Sequence, residues 1–102
     1  MKKIFIALAA TLSLALPGAA LADDGAATFR TYCQSCHGTD GSRAPAPGIT
    51  PIKGQNAADL VKMLEGYQEG TFGGQMKQVM EGVARRLTDV QIRSVSDYVS
   101  NL

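Results

Sequence analysis

Two thiols and one imidazole fall within five consecutive positions: Cys33, Cys36 and His37 are the only cysteines and the only histidine of the chain. They stand in the string Cys33-Gln34-Ser35-Cys36-His37-Gly38. At this spacing two sulfurs lie about one helical turn apart, so each can add to a vinyl group of the same porphyrin. The next residue then sets its imidazole under the iron. Cys-x-x-Cys-His is the attachment signature of c-type haem, and a proximal histidine is a common way of holding haem iron. Other uses of these residues fit less well. A disulfide would close a very short loop and gain little by restricting the unfolded chain. A thioredoxin-like pair calls for a preceding strand and a βαβ unit, whereas 25–32 reads as helix and no alternating strand pattern occurs. Zinc takes four protein ligands, or three with an open position; adjacent Cys36 and His37 suit it poorly and no partner cluster exists. The expectation is one covalent haem c per chain, bound through Cys33 and Cys36 with His37 as an axial iron ligand.

A chain with one histidine cannot supply bis-histidine ligation. The sixth position falls to a methionine, a lysine, a weak oxygen ligand or nothing. Met63, Met76 and Met80 are the thioether candidates. Methionine at helical spacing is an ordinary core filler, so the residues alone leave the three open. Met80 follows a glycine-rich turn (Gly70, Gly73, Gly74) where backbone can approach a haem face, and Met76 lies one turn earlier on the same face.

These side chains need elements to carry them. Gly25, Phe29 and Cys33 recur every four residues, the spacing of one helix face leading into the motif. From Gly38 to Gln55 the breakers Asp40-Gly41, Pro45, Pro47, Gly48 and Pro51 predict a long loop, suited to wrapping one edge of a haem. Asn56 is placed to cap a helix whose Leu60, Met63, Leu64 and Tyr67 share a face, and Gly66 is expected at or just beyond its end. A second helical stretch puts Met76, Val79, Met80 and Val83 together. The last helix starts at a Thr88-x-x-Gln91 capping box and buries Ile92, Val95, Val99 and Leu102, with Tyr98 beside them. Such faces are too small to form a self-sufficient core, which makes the cofactor part of it.

The N-terminus reads differently. Lys2 and Lys3 precede an apolar run from Ile4 to Leu16, then Pro17-Gly18 and the small-x-small site Ala20-Leu21-Ala22. That is the three-part pattern of a secretory signal peptide, and the run is shorter than the roughly 20 residues of a spanning helix. The expectation is a cleaved signal peptide over 1–22, a single domain over 23–102 in the periplasm, and no membrane attachment after cleavage. Without Lys2 and Lys3 the chain holds eight basic and nine acidic side chains. That balance argues against nucleic acid as a partner.

The chain resembles class I cytochromes c over its mature length. In that family a glycine and an aromatic on the first helix pack against an aromatic on the last, and Gly25, Phe29 and Tyr98 stand in the matching places. Within the family it is most similar to the small monohaem periplasmic cytochromes c-553 of sulfate-reducing bacteria. Asp24-Gly25-Ala26-Ala27, Cys33 to Gly41, Lys53-Gly54-Gln55, Gly66-Tyr67, Gly73-Gly74 and Asp97-Tyr98 carry the likeness. The resemblance implies an all-α, small class I cytochrome c fold, with about four short helices around one covalent haem. It implies Met80 as the second axial iron ligand, because Met80-x-x-x-Ala84-x-x-Leu87-Thr88-Asp89 looks like the ligand segment of these proteins. It implies redox partners such as formate dehydrogenase or hydrogenase. It also implies that a proline carbonyl of the loop accepts the proximal histidine's N–H; Pro45, Pro47 and Pro51 are all candidates.

Three functions compete. A diffusible, monomeric carrier of single electrons needs a six-coordinate iron, an exposed haem edge and a small docking patch. Arg30, Arg43, Lys53, Lys62 and Lys77 are either that patch or solvating charges. A haem enzyme such as a peroxidase needs an open iron position and a distal acid–base group, for which no second histidine exists. A haem subunit of a larger oxidoreductase, for example a sulfide-oxidising flavoprotein, would share the same motifs. The reading adopted is a carrier and not an enzyme.

Overall fold

The computed structural model describes residues 24–102; the expected signal peptide, 1–22, lies outside the described residues. The described chain holds five helices, α1 (Gly25–Tyr32), α2 (Gln34–His37), α3 (Ala57–Glu69), α4 (Lys77–Ala84) and α5 (Asp89–Ser100). Its only β pairing among the described residues is an isolated bridge between Gly74 and Met76. No helix among them is long and apolar enough to cross a membrane.

The α1–α5 crossing is the centre of the core. Asp24 caps α1, its carboxylate accepting from the Ala26 amide at 2.9 Å. Phe29 is fully buried, and its ring meets Tyr98 of α5 with centroids 5.5 Å apart. Gly25 lets the two helices touch: a Cβ there would collide with the Ser94 carbonyl and lie 2.9 Å from the Tyr98 Cβ. Absence of a side chain is what permits so close a backbone approach. Val95 and Val99 of α5 and Leu60 of α3 complete the cluster around Phe29.

Capping sets where α3 and α5 begin. The Asn56 side chain accepts from the Ala58 and Asp59 amides at 2.9 and 3.2 Å. The expected capping box of α5 is present, with Gln91 N–H donating to Thr88 Oγ1 (3.1 Å) and Thr88 N–H to Gln91 Oε1 (3.0 Å). The expected end of α3 at Gly66 is corrected. The helix runs on to Glu69 and stops at Gly70, which is left-handed with φ 75°. Gly66 is buried inside the helix because the returning chain passes over it: an added Cβ would lie 2.6 Å from the Phe72 Cβ.

α4 starts later than the sequence periodicity implies. Met76 is its N-cap rather than a helical residue, sits at φ 66°, and supplies no side-chain cap. It is the one non-glycine residue with positive φ among the described residues, a conformation that costs a side-chain-bearing residue roughly 1–2 kcal/mol. The other end of α4 is tied down. Gln68 Nε2 of α3 donates to the carbonyls of Ala84 (2.9 Å) and Leu87 (3.1 Å), and Ala84 and Leu87 are buried.

Residues 38–56 carry no helix, as expected. Backbone bonds hold this loop at intervals: Arg43 N–H to His37 O, Lys53 N–H to Gly41 O, and Gly54 N–H to Val99 O, each 3.0 Å. The last of these fastens the loop to the end of α5.

Candidate haem site

The motif is itself helical. Cys33 closes α1 through its amide to Phe29 O, and its own carbonyl accepts from the amides of Cys36 (3.3 Å) and His37 (3.0 Å). One turn of helix thus carries both thiols and the imidazole, the arrangement that the spacing predicts.

A cavity of about 880 Å³ opens beside this turn. Cys33, Cys36 and His37 form one wall; Met63, Leu64 and Tyr67 of α3, Met80 and Val83 of α4, and Val95 and Val99 of α5 form others. Phe72 to Met76 and the loop residues Pro45, Gly48, Ile49 and Ile52 complete it. Its lining is predominantly apolar, and its size reaches the upper part of the range of cofactor pockets.

Each polar group in that wall has a definable state. Cys33 packs against the Phe29 cluster, and burial pushes its thiol up to about 11. Cys36 is exposed. His37 is buried, and burial holds its imidazole below its ordinary pKa. A neutral ring keeps the lone pair that a metal needs. Its Nδ1 is sealed without a hydrogen-bond partner, so no carbonyl of Pro45, Pro47 or Pro51 accepts from it here. The Pro51 carbonyl instead accepts from Gln55 Nε2 at 2.9 Å. Ser96 Oγ is the other buried side-chain polar atom without a partner among the described residues.

All three candidate methionines line the cavity, in different settings. Met63 packs against the core cluster. Met76 is 41% exposed at the helix cap. Met80 is half-buried in the middle of α4 and is not part of the core cluster. Two apolar cavity residues escape sequence reasoning as a unit. Tyr67 and Phe72 meet edge to face, centroids 5.0 Å apart, and Gly73 (φ 111°) makes room for the Tyr67 ring, which would lie 2.6 Å from a Cβ.

The site fits a covalently held haem: paired thiols one turn apart, a neutral imidazole, thioethers, and an apolar chamber of cofactor size. A sequence model described as Cytochrome c matches residues 22–102. The chain is 39% identical over 103 aligned positions to cytochrome c-553 of Nitratidesulfovibrio vulgaris, covering all of both chains. It is 39% identical over 77 residues to cytochrome c-553 of Desulfomicrobium norvegicum, covering 76% of this chain and 94% of that one. It is also 36% identical over 87 residues to the cbb3-type cytochrome c oxidase subunit CcoP of Cereibacter sphaeroides, covering 82% of this chain but 28% of that protein. The chain therefore belongs to the cytochrome c family, in its class I fold. Its cofactor is haem c, and the attachment string of the family is Cys33 to His37.

Proposed function

We propose that this protein is a periplasmic electron carrier, one haem per chain with histidine–methionine ligation, working as a monomer between a dehydrogenase and a hydrogenase or comparable redox proteins. Haem c supplies a one-electron Fe(III)/Fe(II) couple. Cys33 and Cys36 hold it by two thioether bonds, which prevent its loss from so small a shell. His37 ligates the iron through Nε2, since Nδ1 is turned into the protein. Met80, which lines the same cavity, would supply the second protein ligand to the iron. A thioether is a soft ligand and raises the potential, an effect for which cytochromes c are the stock example. Leu64, Val83, Val95 and Val99 line the cavity, and their apolar side chains would keep water from a bound haem iron. With His37 and Met80 both on the iron, no coordination position would be left for a substrate, which favours electron transfer over catalysis. Formate dehydrogenase and hydrogenase come from the family resemblance; the periplasmic compartment follows from reading 1–22 as a cleaved signal peptide, on the Lys2-Lys3 start, the apolar run and the small-x-small site, with the haem domain over 23–102.

The observation that carries this reading is the one chamber onto which Cys33, Cys36 and His37 open together with the candidate methionines, Met80 among them. Methionine substitution tests it. Met80→Ala should abolish the sulfur–iron charge-transfer band, lower the potential and let the reduced protein bind carbon monoxide. Met76→Ala should leave the band in place. The reverse pattern would move the ligand one turn back, and carbon monoxide binding by the unaltered protein would remove the carrier reading. The CcoP match supports a second reading, a haem subunit of a larger complex; gel filtration of native extract would then show the haem eluting with a far larger assembly.

A further inference from the structure

The helix that carries Met80 has few holds of its own. α4 has 8 residues, fewer than the roughly 12 that an isolated helix needs to be even marginally stable. The left-handed Met76 stands at its start, and no side chain caps it. Of the other helices, α4 packs chiefly on α3. Its ion pairs, Lys77–Glu81 at 3.9 Å and Glu81–Arg85 at 3.2 Å, run along its own length and fasten it to no neighbour. Hydrogen bonds from another helix come from the Gln68 side chain of α3, whose Nε2 donates to the Ala84 carbonyl at 2.9 Å and to the Leu87 carbonyl at 3.1 Å. The Ala84 carbonyl also accepts from the Leu87 amide at 3.1 Å, so these bonds meet where the chain leaves α4 for α5. Arg85 Nε adds to them, donating to the backbone carbonyl of Gln68 at 3.4 Å. Ala84 is fully buried and stands four residues after Met80, on the same helix face. What holds Ala84 down therefore holds down the turn that carries Met80.

We propose, on the reading above that Met80 ligates the iron, that Gln68 is a positioning residue for that ligand: by clamping the end of α4 to α3, its side-chain amide keeps the Met80 sulfur from leaving the iron. Gln68 does not line the cavity, so its effect passes through α4. Without the two N–H bonds, the carbonyls of Ala84 and Leu87 lose a donor in a part-buried place. They regain hydration only when this end of α4 moves off α3. One net hydrogen bond shifts an equilibrium by about tenfold. The fraction of molecules with Met80 off the iron should rise by that factor when the clamp is removed.

Carbon monoxide binding to the ferrous holoprotein reads that fraction. The sulfur–iron bond breaks, the iron–carbon bond forms, and the iron stays ferrous. Apparent affinity scales with the fraction of molecules whose iron is open. Gln68→Met keeps the side-chain length and removes both N–H donors. It should raise the apparent affinity about tenfold, with helical circular dichroism retained. In a Met80→Ala background the same change should have no effect, because no ligand is left to hold. Phe29→Ala, which loosens the α1–α5 crossing, should cost more global stability and leave the affinity unchanged. Gln68→Asn keeps an amide too short to reach both carbonyls and should give a smaller rise; it carries the comparison if Gln68→Met yields no folded holoprotein. Unchanged affinity in the Gln68 variants would overturn the proposal. So would an equal rise in the Met80→Ala background, which assigns the effect to the chamber, or in Phe29→Ala, which reduces it to lost stability. An unaltered protein that binds carbon monoxide as tightly as Met80→Ala would instead remove Met80 as the ligand, and with it the reading on which the role of Gln68 rests.

Discussion

The α1–α5 crossing and the α4 side of the cavity are built on opposite plans. At the crossing, Phe29, Val95 and Val99 are at most 3% exposed, and Gly25 has its neighbours in contact with the space a side chain would need. Protein packs against protein there around Phe29, although Val95 and Val99 also reach the cavity wall. Across the cavity, Phe72, Met76 and Val79 are 40%, 41% and 49% exposed, although all three line the chamber. α4 has no side-chain cap at its free end and a left-handed methionine in the capping position. Its firm contacts lie at the other end, where Gln68 holds Ala84 and Leu87. Large apolar side chains left open on a small domain indicate a surface meant to be covered. Bound haem would cover it, so the α1–α5 crossing holds by its own packing while the α4 side would draw on the cofactor.

Preventing attachment is the strongest way to break that comparison. In the Cys33→Ser, Cys36→Ser chain, export should proceed but no haem should remain after acid–acetone extraction. A domain of this size has little core to spare, so most helical circular dichroism should disappear. Any hydrogen-exchange protection that survives should sit in α1 and α5. Protection retained in α4 instead would show that the two halves do not differ as argued.

Next in size is the crossing itself. Phe29→Ala empties the space around which Leu60, Val95, Val99 and Tyr98 pack, and should lower the stability of the holoprotein by about 3–5 kcal/mol. Denaturant titration reads this directly. The haem spectrum should be unchanged below the transition, because Phe29 does not line the cavity. A spectral change without loss of stability would mean that the crossing also serves the cofactor.

A smaller effect separates capped from uncapped helices. Thr88→Ala removes one half of the capping box and should cost α5 about 1 kcal/mol, read from the same titrations. No equivalent single change exists at the start of α4, where no side chain caps.

Legibility follows the same division. The attachment site could be read because its chemistry is confined to five consecutive residues. Helix starts could be read where a side chain makes the cap, as at Asn56 and Thr88, since capping is local. Gly66 could not, because its role is set by the chain returning six residues later to lay Phe72 over it, and in isolation such a glycine reads as a helix end. The start of α4 was missed for a related reason: Met76 matches the helical period but is pulled into a left-handed cap by the glycine turn before it. Gln68 left no signal at all, since its amide matters only through carbonyls 16 and 19 residues away. Nor could the basic residues be sorted. Arg43 differs from Lys53 only in which of them finds a carboxylate within reach, and that depends on how the loop 38–55 folds back.

That loop supplies the smallest predicted effect, and one with a defined pH sense. The Asp40 carboxylate accepts from the Ser42 hydroxyl and amide, and Lys53 Nζ lies 3.3 Å from its other oxygen. Hydrogen bonds from Ser42, then Lys53, hold its pKa at about 2, against an ordinary value of 3.8. A carboxyl whose folded pKa is depressed stabilises the fold above its unfolded pKa, and the contribution is lost as pH falls through the folded value. The contribution should therefore be complete above about pH 4 and disappear towards pH 2. The side chains are half-exposed, so screening keeps the effect small. Carboxyl NMR titration of the holoprotein should give a midpoint near 2 for Asp40. Ser42→Ala should raise that midpoint further than Lys53→Gln, because the hydroxyl bond it removes outweighs the Lys53 contact, while the residue 42 amide still donates. Asp40→Asn should flatten the pH dependence of stability between 4 and 2 while leaving the α1–α5 crossing and the haem spectrum unchanged. A larger rise with Lys53→Gln would mean that the loop is pinned across its ends by charge, rather than locally by the turn at Asp40-Gly41-Ser42.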